Sequence, residues 1–201
     1  MNIKKPNTAM EIQKAIVNRR AIYPKQMSGE SIDNETIERM LELANWAPTH
    51  KRTEPWRFKV YGGNAMNLVL DKCKELYIKQ TASGKFNSIK LEKLEERKQQ
   101  VSHIIAICMQ RNEAALPEFE EIAAVSMAVQ NMWLYLASTQ KYGGYWSTPS
   151  HALSTEFANF LDLDENEKCL GLFLIGTIAE PDNVPAGQRG DSRDKVKFKE
   201  V

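Results

Sequence analysis

The 201-residue chain has no excess of charge of either sign: 27 lysines and arginines stand against 26 aspartates and glutamates, a net of +1 with histidine neutral. Without a broad basic field, long-range attraction of nucleic acid or of an anionic membrane is not expected, and any anion site has to be built locally. Cysteine is scarce. Cys73, Cys108 and Cys169 are odd in number and widely spaced, which suggests neither a CxxC metal knuckle nor a disulfide framework and fits a reducing, cytoplasmic setting. No apolar run approaches the roughly 18 residues of a membrane-spanning helix, and the MNIKKPN start has no signal-peptide core. GxGxxG, Walker and HExxH patterns are missing too. Gly62-Gly63 and Gly143-Gly144 lack the phosphate-loop context, so neither classical nucleotide fold is supported.

What is present is an ordinary globular composition, 42% hydrophobic and 26% charged, long enough to bury one sizeable core. A single domain over residues 1–201 is the expectation. Thr8 and Glu11 form a T-x-x-E capping box for a first helix ending at Arg19-Arg20-Ala21. Asp33 or Asn34 caps a second, with Ile37, Met40 and Leu41 on its apolar face, and Asn64 is expected to cap a third. Residues 81–100 are highly charged and read as a loosely packed helical insertion, either a lid or a solvated hairpin. Val101–Met109 and Leu170–Gly176 are near-continuous apolar runs that predict buried strands. Pro117 to about Tyr142 is the longest helical pattern, apolar around most of its circumference, which predicts packing on a partner subunit as well as on its own sheet; Gly143-Gly144 is expected to end it. The tail Lys195–Lys199 alternates like an edge strand that has to pair with a sheet edge elsewhere, in its own or another subunit. Helices interleaved with strands indicate an α/β or α+β class.

One stretch is unusually dense in chemistry. Between the second helix and the strand beginning at Trp56, residues 47–56 hold two prolines, a histidine, two adjacent cations and a tryptophan. Read alone it is a helix-to-strand connector. Arg19-Arg20, read alone, complements a helix C-terminus, although two guanidinium forks also suit a phosphate. Tyr145-Trp146-Ser147-Thr148 sets an aromatic pair before two hydroxyls, either a short strand and turn or the wall of a flat polar ring.

Taken together and in order, Arg19-Arg20, Ala-Pro-Thr-His…Pro-Trp-Arg-Phe, the alanine-rich helix ending in Gly-Gly-Tyr-Trp-Ser-Thr, and Gly-Leu-Phe-Leu-Ile-Gly-Thr resemble the flavin-dependent nitroreductase family, in its compact branch. The resemblance covers nearly the whole chain. It implies a three-layer α+β fold around a mixed sheet, an intertwined homodimer built on the long helix, and one FMN at each of two sites between subunits. By the same resemblance Arg19, Arg20 and Ala21 contact the FMN phosphate and ribityl chain, His50 and Trp46 reach the flavin from the opposite subunit, Trp146, Ser147 and Thr148 line the isoalloxazine, and Arg189 in the extended tail 181–201 completes the phosphate site. The implied activity is hydride transfer from NADH or NADPH through flavin N5 to a nitroaromatic, quinone or similar small-molecule acceptor, by a ping-pong mechanism. No protein nucleophile or metal is required. The chain departs from the family's pattern at Ala21, where a serine is usual, at Ser147, where the compact branch carries arginine, and in the 81–100 insertion. Ser147 therefore keeps open a second reading, a flavin carrier, sensor or flavin-processing protein with little NAD(P)H turnover. Absence of flavin altogether would point to a structural dimer.

Overall fold

The computed structural model describes residues 8–199, with side chains from Met10 onward, so the Thr8 capping contact and the MNIKKPN start lie outside the described residues. Four strands, β1 (Trp56–Gly62), β2 (His103–Gln110), β3 (Tyr142–Ser147) and β4 (Glu167–Thr177), form one sheet in the order β1-β2-β4-β3. Every neighbouring pair is antiparallel. The parallel component of the expected mixed sheet is a single bridge, Ala21 beside Gly144.

Side-chain alternation along β2 divides the core. Ile105, Ile107 and Met109 face one layer, where α2 (Asn34–Ala44) and α5 (Glu118–Thr139) pack; Ile104, Ala106 and Cys108 face the other, covered by α3 (Gly63–Gln80), α4 (Ser88–Gln100) and α6 (Thr155–Phe160). The result is the three-layer α+β arrangement, with β2 buried on both faces as its continuous apolar run predicts. The first helix, α1 (Thr8–Asn18), lies outside these layers against α5. Among the described residues no helix is long and apolar enough to cross a membrane.

Local chemistry sets most boundaries. Asp33 caps α2, its carboxylate accepting from the Thr36 backbone N–H at 2.7 Å and the Thr36 hydroxyl at 2.9 Å; these bonds hold its pKa below the usual carboxylate value. Three expectations need correction. Gly62, not Asn64, precedes α3, because Gly63 adopts φ +52 and carries the chain straight from strand to helix. The long helix stops at Gln140, which takes the left-handed conformation at φ 56, so Gly143 and Gly144 are strand residues. Their lack of a side chain serves close approach: a Cβ at Gly143 would collide with Ile22, and one at Gly144 with the Phe173 ring. Finally, residues 196–199 form no strand in the single chain and follow a short 3-10 turn at Ser192–Lys195.

Candidate functional site

The expected site residues fall into three places, tied together by β3 and α5. At the first, the chain leaves α1 and runs beside β3, with the Ile22 N–H bonded to the Gly144 carbonyl at 3.0 Å. Arg19 lays its guanidinium over the Trp133 ring of α5, 4.6 Å from the centroid. Burial pulls its pKa down, and the charges of Arg189 and Arg20 pull it further. Two adjacent guanidiniums and a third from 169 residues further along the chain thus lie near one another, and none takes part in an ion pair among the described residues. Guanidiniums held near one another with no ion pair are the electrostatic form of a site for an anion, and Asp182 lines the same pocket as Arg20 without bridging to it.

The three arginines are not equivalent. Arg20 points its donors at backbone: Nε bonds the Pro185 carbonyl at 3.1 Å, and Nη1 bonds those of Val17 and Arg19, each at 2.7 Å. Gly187 lies so close that a Cβ there would collide with the guanidinium. Arg20 therefore clamps the tail, whereas Arg19 makes no hydrogen bond of its own with its side chain among those described. Ala21 contributes backbone alone.

The second place is the far end of β3. Ser147 and Thr148 line a cavity of about 830 Å³ on the α3–α4 face, within the usual range for ligand sites. Strand alternation puts Tyr145 into the same cavity, and its ring also meets that of Tyr23, two residues beyond Ala21, at 4.6 Å and a tilt of 41°. Trp146 points the other way, into the α2–α5 core, where its indole N–H reaches the Leu170 carbonyl at 3.3 Å. Gly171, at φ +137, lets the strand end pack closely here, since a Cβ would meet Trp146, Ser147 and Thr148. Gly144, beside the arginine cluster, and Ser147 are three residues apart, about 10 Å along a strand. The arginine cluster lies on the α5 side of β3, and the cavity on its α3–α4 side.

His50 occupies the third place. The loop following α2 carries three non-glycine residues at positive φ, Lys51, Arg52 and Glu54, a costly conformation that its contacts hold in place. Thr49 Oγ1 accepts from the Glu54 N–H at 3.2 Å, Lys51 Nζ donates to the Ala115 carbonyl at 3.0 Å, and His50 Nδ1 lies 2.6 Å from Glu120. Trp46 nearby is 83% exposed. Glu120 and Trp133 are thirteen residues apart on α5, so His50 and the Arg19 cluster sit about 20 Å from one another within one chain. A single subunit does not bring them together.

The cavity holds more than the sequence reading found there. Lys85, Lys90, Lys93 and Arg97 from the 81–100 segment line it, as does His151. The i, i+3, i+7 spacing of Lys90, Lys93 and Arg97 marks one helix face, a signal hidden because that face is charged where an inward face is expected to be apolar.

Comparison with known proteins completes the description. The sequence model described as the nitroreductase family matches residues 16–177. YfhC of Bacillus subtilis (strain 168), provisionally named an NAD(P)H nitroreductase, is 26% identical over 170 residues, 85% of this chain and 84% of that protein. Among solved structures, a nitroreductase-like family protein from Bacillus cereus superposes with a TM-score of 0.81 at 21% identity, covering the whole of both chains. The FMN-dependent nitroreductase NfnB from Mycobacterium smegmatis, solved with NADPH, superposes at 0.76 with 15% identity, covering 96% of this chain and all of that one.

Proposed function

Because the chain belongs to the nitroreductase family and is an oxidoreductase of that type, we propose that it binds FMN between two copies of itself and uses it to pass electrons from NADH or NADPH to a small organic acceptor. The observation that carries this reading is the placement of Arg19, held over Trp133 with no hydrogen bond or ion pair of its side chain among the described residues, beside Arg20 and near Arg189. A phosphate monoester carries nearly two negative charges, and it would relieve a mutual repulsion that the protein alone leaves standing. At the cavity, Ser147 and Thr148 offer hydroxyls and Tyr145 an aromatic wall for the ring, and β3 is an edge strand, so a bound FMN would have to pass its edge to reach both places. When bound, FMN would supply the two-electron redox chemistry between NAD(P)H and the acceptor, in two ping-pong half-reactions. The chain's part is to hold the phosphate, orient the ring against β3 and exclude water from the cavity.

A homodimer built from single 1–201 domains is supported by apolar surface that one copy leaves uncovered. Ile12, Ile16 and Val17 of α1, Trp46, and Phe119 and Met127 of α5 are all exposed. The same dimer accounts for the separation of His50 from Arg19, since the loop then serves the partner's flavin, and it offers the 181–201 tail a neighbouring sheet edge. The test begins with the purified protein, expected to be yellow or to take up added FMN; a protein that stays colourless after such addition overturns the reading. Stopped-flow mixing with NADH and NADPH is then expected to bleach the flavin and a quinone to restore it. Persistent colour with both reductants would instead favour the carrier or sensor suggested by Ser147. His50→Ala is expected to weaken FMN retention several-fold while sedimentation still reports a dimer; unchanged affinity would remove His50 from the site.

A further inference from the structure

Cations on the segment from α3 to α4 fall into two groups. Lys72, Lys74, Lys79 and Lys98 each find a carboxylate: Lys72 and Lys79 reach Glu156, Lys74 reaches Glu95, and Lys98 reaches both Asp71 and Glu95. Lys85, Lys90, Lys93 and Arg97 find none among the described residues, and these are the four that line the cavity. The wall contains no aspartate or glutamate. Lys90 has an aromatic neighbour only, its ammonium 5.5 Å from the Tyr77 ring centroid. Arg97 is half-buried, and burial holds its pKa below the ordinary value. Beside them His151 is only 7% exposed, and its Nε2 has no hydrogen-bond partner. Buried polar atoms and clustered charges ordinarily find partners within the protein.

We propose that this cavity selects an electron acceptor bearing a carboxylate on an aromatic ring, the anionic group lying against Lys90, Lys93 and Arg97 and the ring against Leu172 and Leu174. The proposal rests on the oxidoreductase reading for what happens to the acceptor, but the recognition itself does not. Four cations around a concave, partly apolar wall focus a positive potential that a chain of net charge +1 does not have elsewhere on average. The apolar part, with Ile104, Leu172 and Leu174, suits a ring rather than a bare inorganic ion. The 81–100 segment then carries specificity in its inward face, which explains why that face is charged.

Two matched pairs of compounds test this on the FMN-loaded protein. 4-Nitrobenzoate and 4-nitrobenzamide differ in charge at nearly constant shape, and the benzoate–benzamide pair carries no nitro group to reduce, so its affinities can be read by titration calorimetry without turnover. The carboxylates are expected to bind at least about tenfold more tightly, and to have a correspondingly lower KM, than the amides. Raising salt should shrink that ratio. In the double variant Lys90→Gln/Lys93→Gln, both at exposed positions, the ratio should fall to near one, and Arg97→Gln should lower it alone if the variant folds. Equal affinity for acid and amide in the unaltered protein overturns the proposal. So does a double variant that keeps the acid preference while its KM for NADPH rises, because the cations would then read the reductant's phosphates. If benzoate is preferred in calorimetry but NAD(P)H is never oxidised, the oxidoreductase reading fails and the anion site stands.

Discussion

Arg19→Gln is expected to weaken FMN binding by about 10–150-fold, the equivalent of losing one charge-assisted contact of about 1.5–3 kcal/mol. The sign of a second measurement makes the result specific. Without cofactor, Arg19 is partly buried and repelled by Arg189 and Arg20. Replacing it with a neutral side chain of similar reach removes that repulsion, so the apo form of Arg19→Gln should melt no lower than the unaltered protein, while FMN-dependent stabilisation should shrink. Ligand that binds only the folded state raises stability in proportion to the logarithm of its concentration over Kd, so melting curves at graded FMN report the same loss as fluorescence quenching. Arg20→Gln is the contrast. Its guanidinium holds the Pro185, Val17 and Arg19 carbonyls, so its loss should loosen the tail first and reduce FMN affinity through the displacement of Arg189. Arg19→Gln that retains full affinity would show that the crowded guanidiniums serve some purpose other than the phosphate.

The contrast between two adjacent arginines marks where sequence reasoning stops. A helical apolar face was enough to place α2, and near-continuous apolar runs to place β2 and β4, because burial follows residue type. It failed where tertiary contact decides. Gly143-Gly144 looks like a helix stop, but the collisions with Ile22 and Phe173 that demand glycine there come from elements over a hundred residues before and about thirty after it. The tail's alternation at 195–199 predicts a strand, yet a strand needs a partner edge that a single chain does not supply here. For the site, the resemblance supplied residues, and the fold assigned them different tasks. Trp146 turns into the core while Tyr145 and Ser147 share the cavity, a consequence of two-residue alternation once β3 is known to begin at Tyr142. Ser147 lacks the charge its position is expected to carry, but the cavity is cationic all the same, because α4 brings Lys90, Lys93 and Arg97 to it from fifty residues away. Composition left that segment open as a lid or a solvated hairpin; only the pairing of every other nearby lysine shows which cations are left over.

The largest loss of stability is expected at Glu121, in the first turn of α5. Its side chain is fully buried at 0% exposure, and it forms an ion pair with Arg111, itself almost buried, while Oε1 accepts the Asn112 backbone N–H at 2.8 Å. The carboxylate also faces the positive end of the longest helix in the chain. Glu121→Ala would strand a guanidinium and an N–H in the interior, a change that costs about 3–5 kcal/mol. At roughly 2–4 °C per kcal/mol for a chain of this size, melting should fall by about 6–20 °C when protein and FMN concentrations are held constant. Swapping both partners for apolar side chains, Arg111→Met with Glu121→Leu, should recover much of that loss, since no charge is then left unpaired, and the double-mutant cycle isolates the coupling. A Glu121→Ala protein less than about 1 kcal/mol weaker would mean that water reaches the pair. The effect should extend to function, because Glu120, the next residue, holds His50, and Ala115, on the same short link between β2 and α5, holds Lys51. Freed from that link, the positive-φ loop has little to keep it strained. Glu121→Ala should therefore lose the contribution of His50 to FMN retention well below its melting point, and further substitution of His50 by alanine should then add almost nothing.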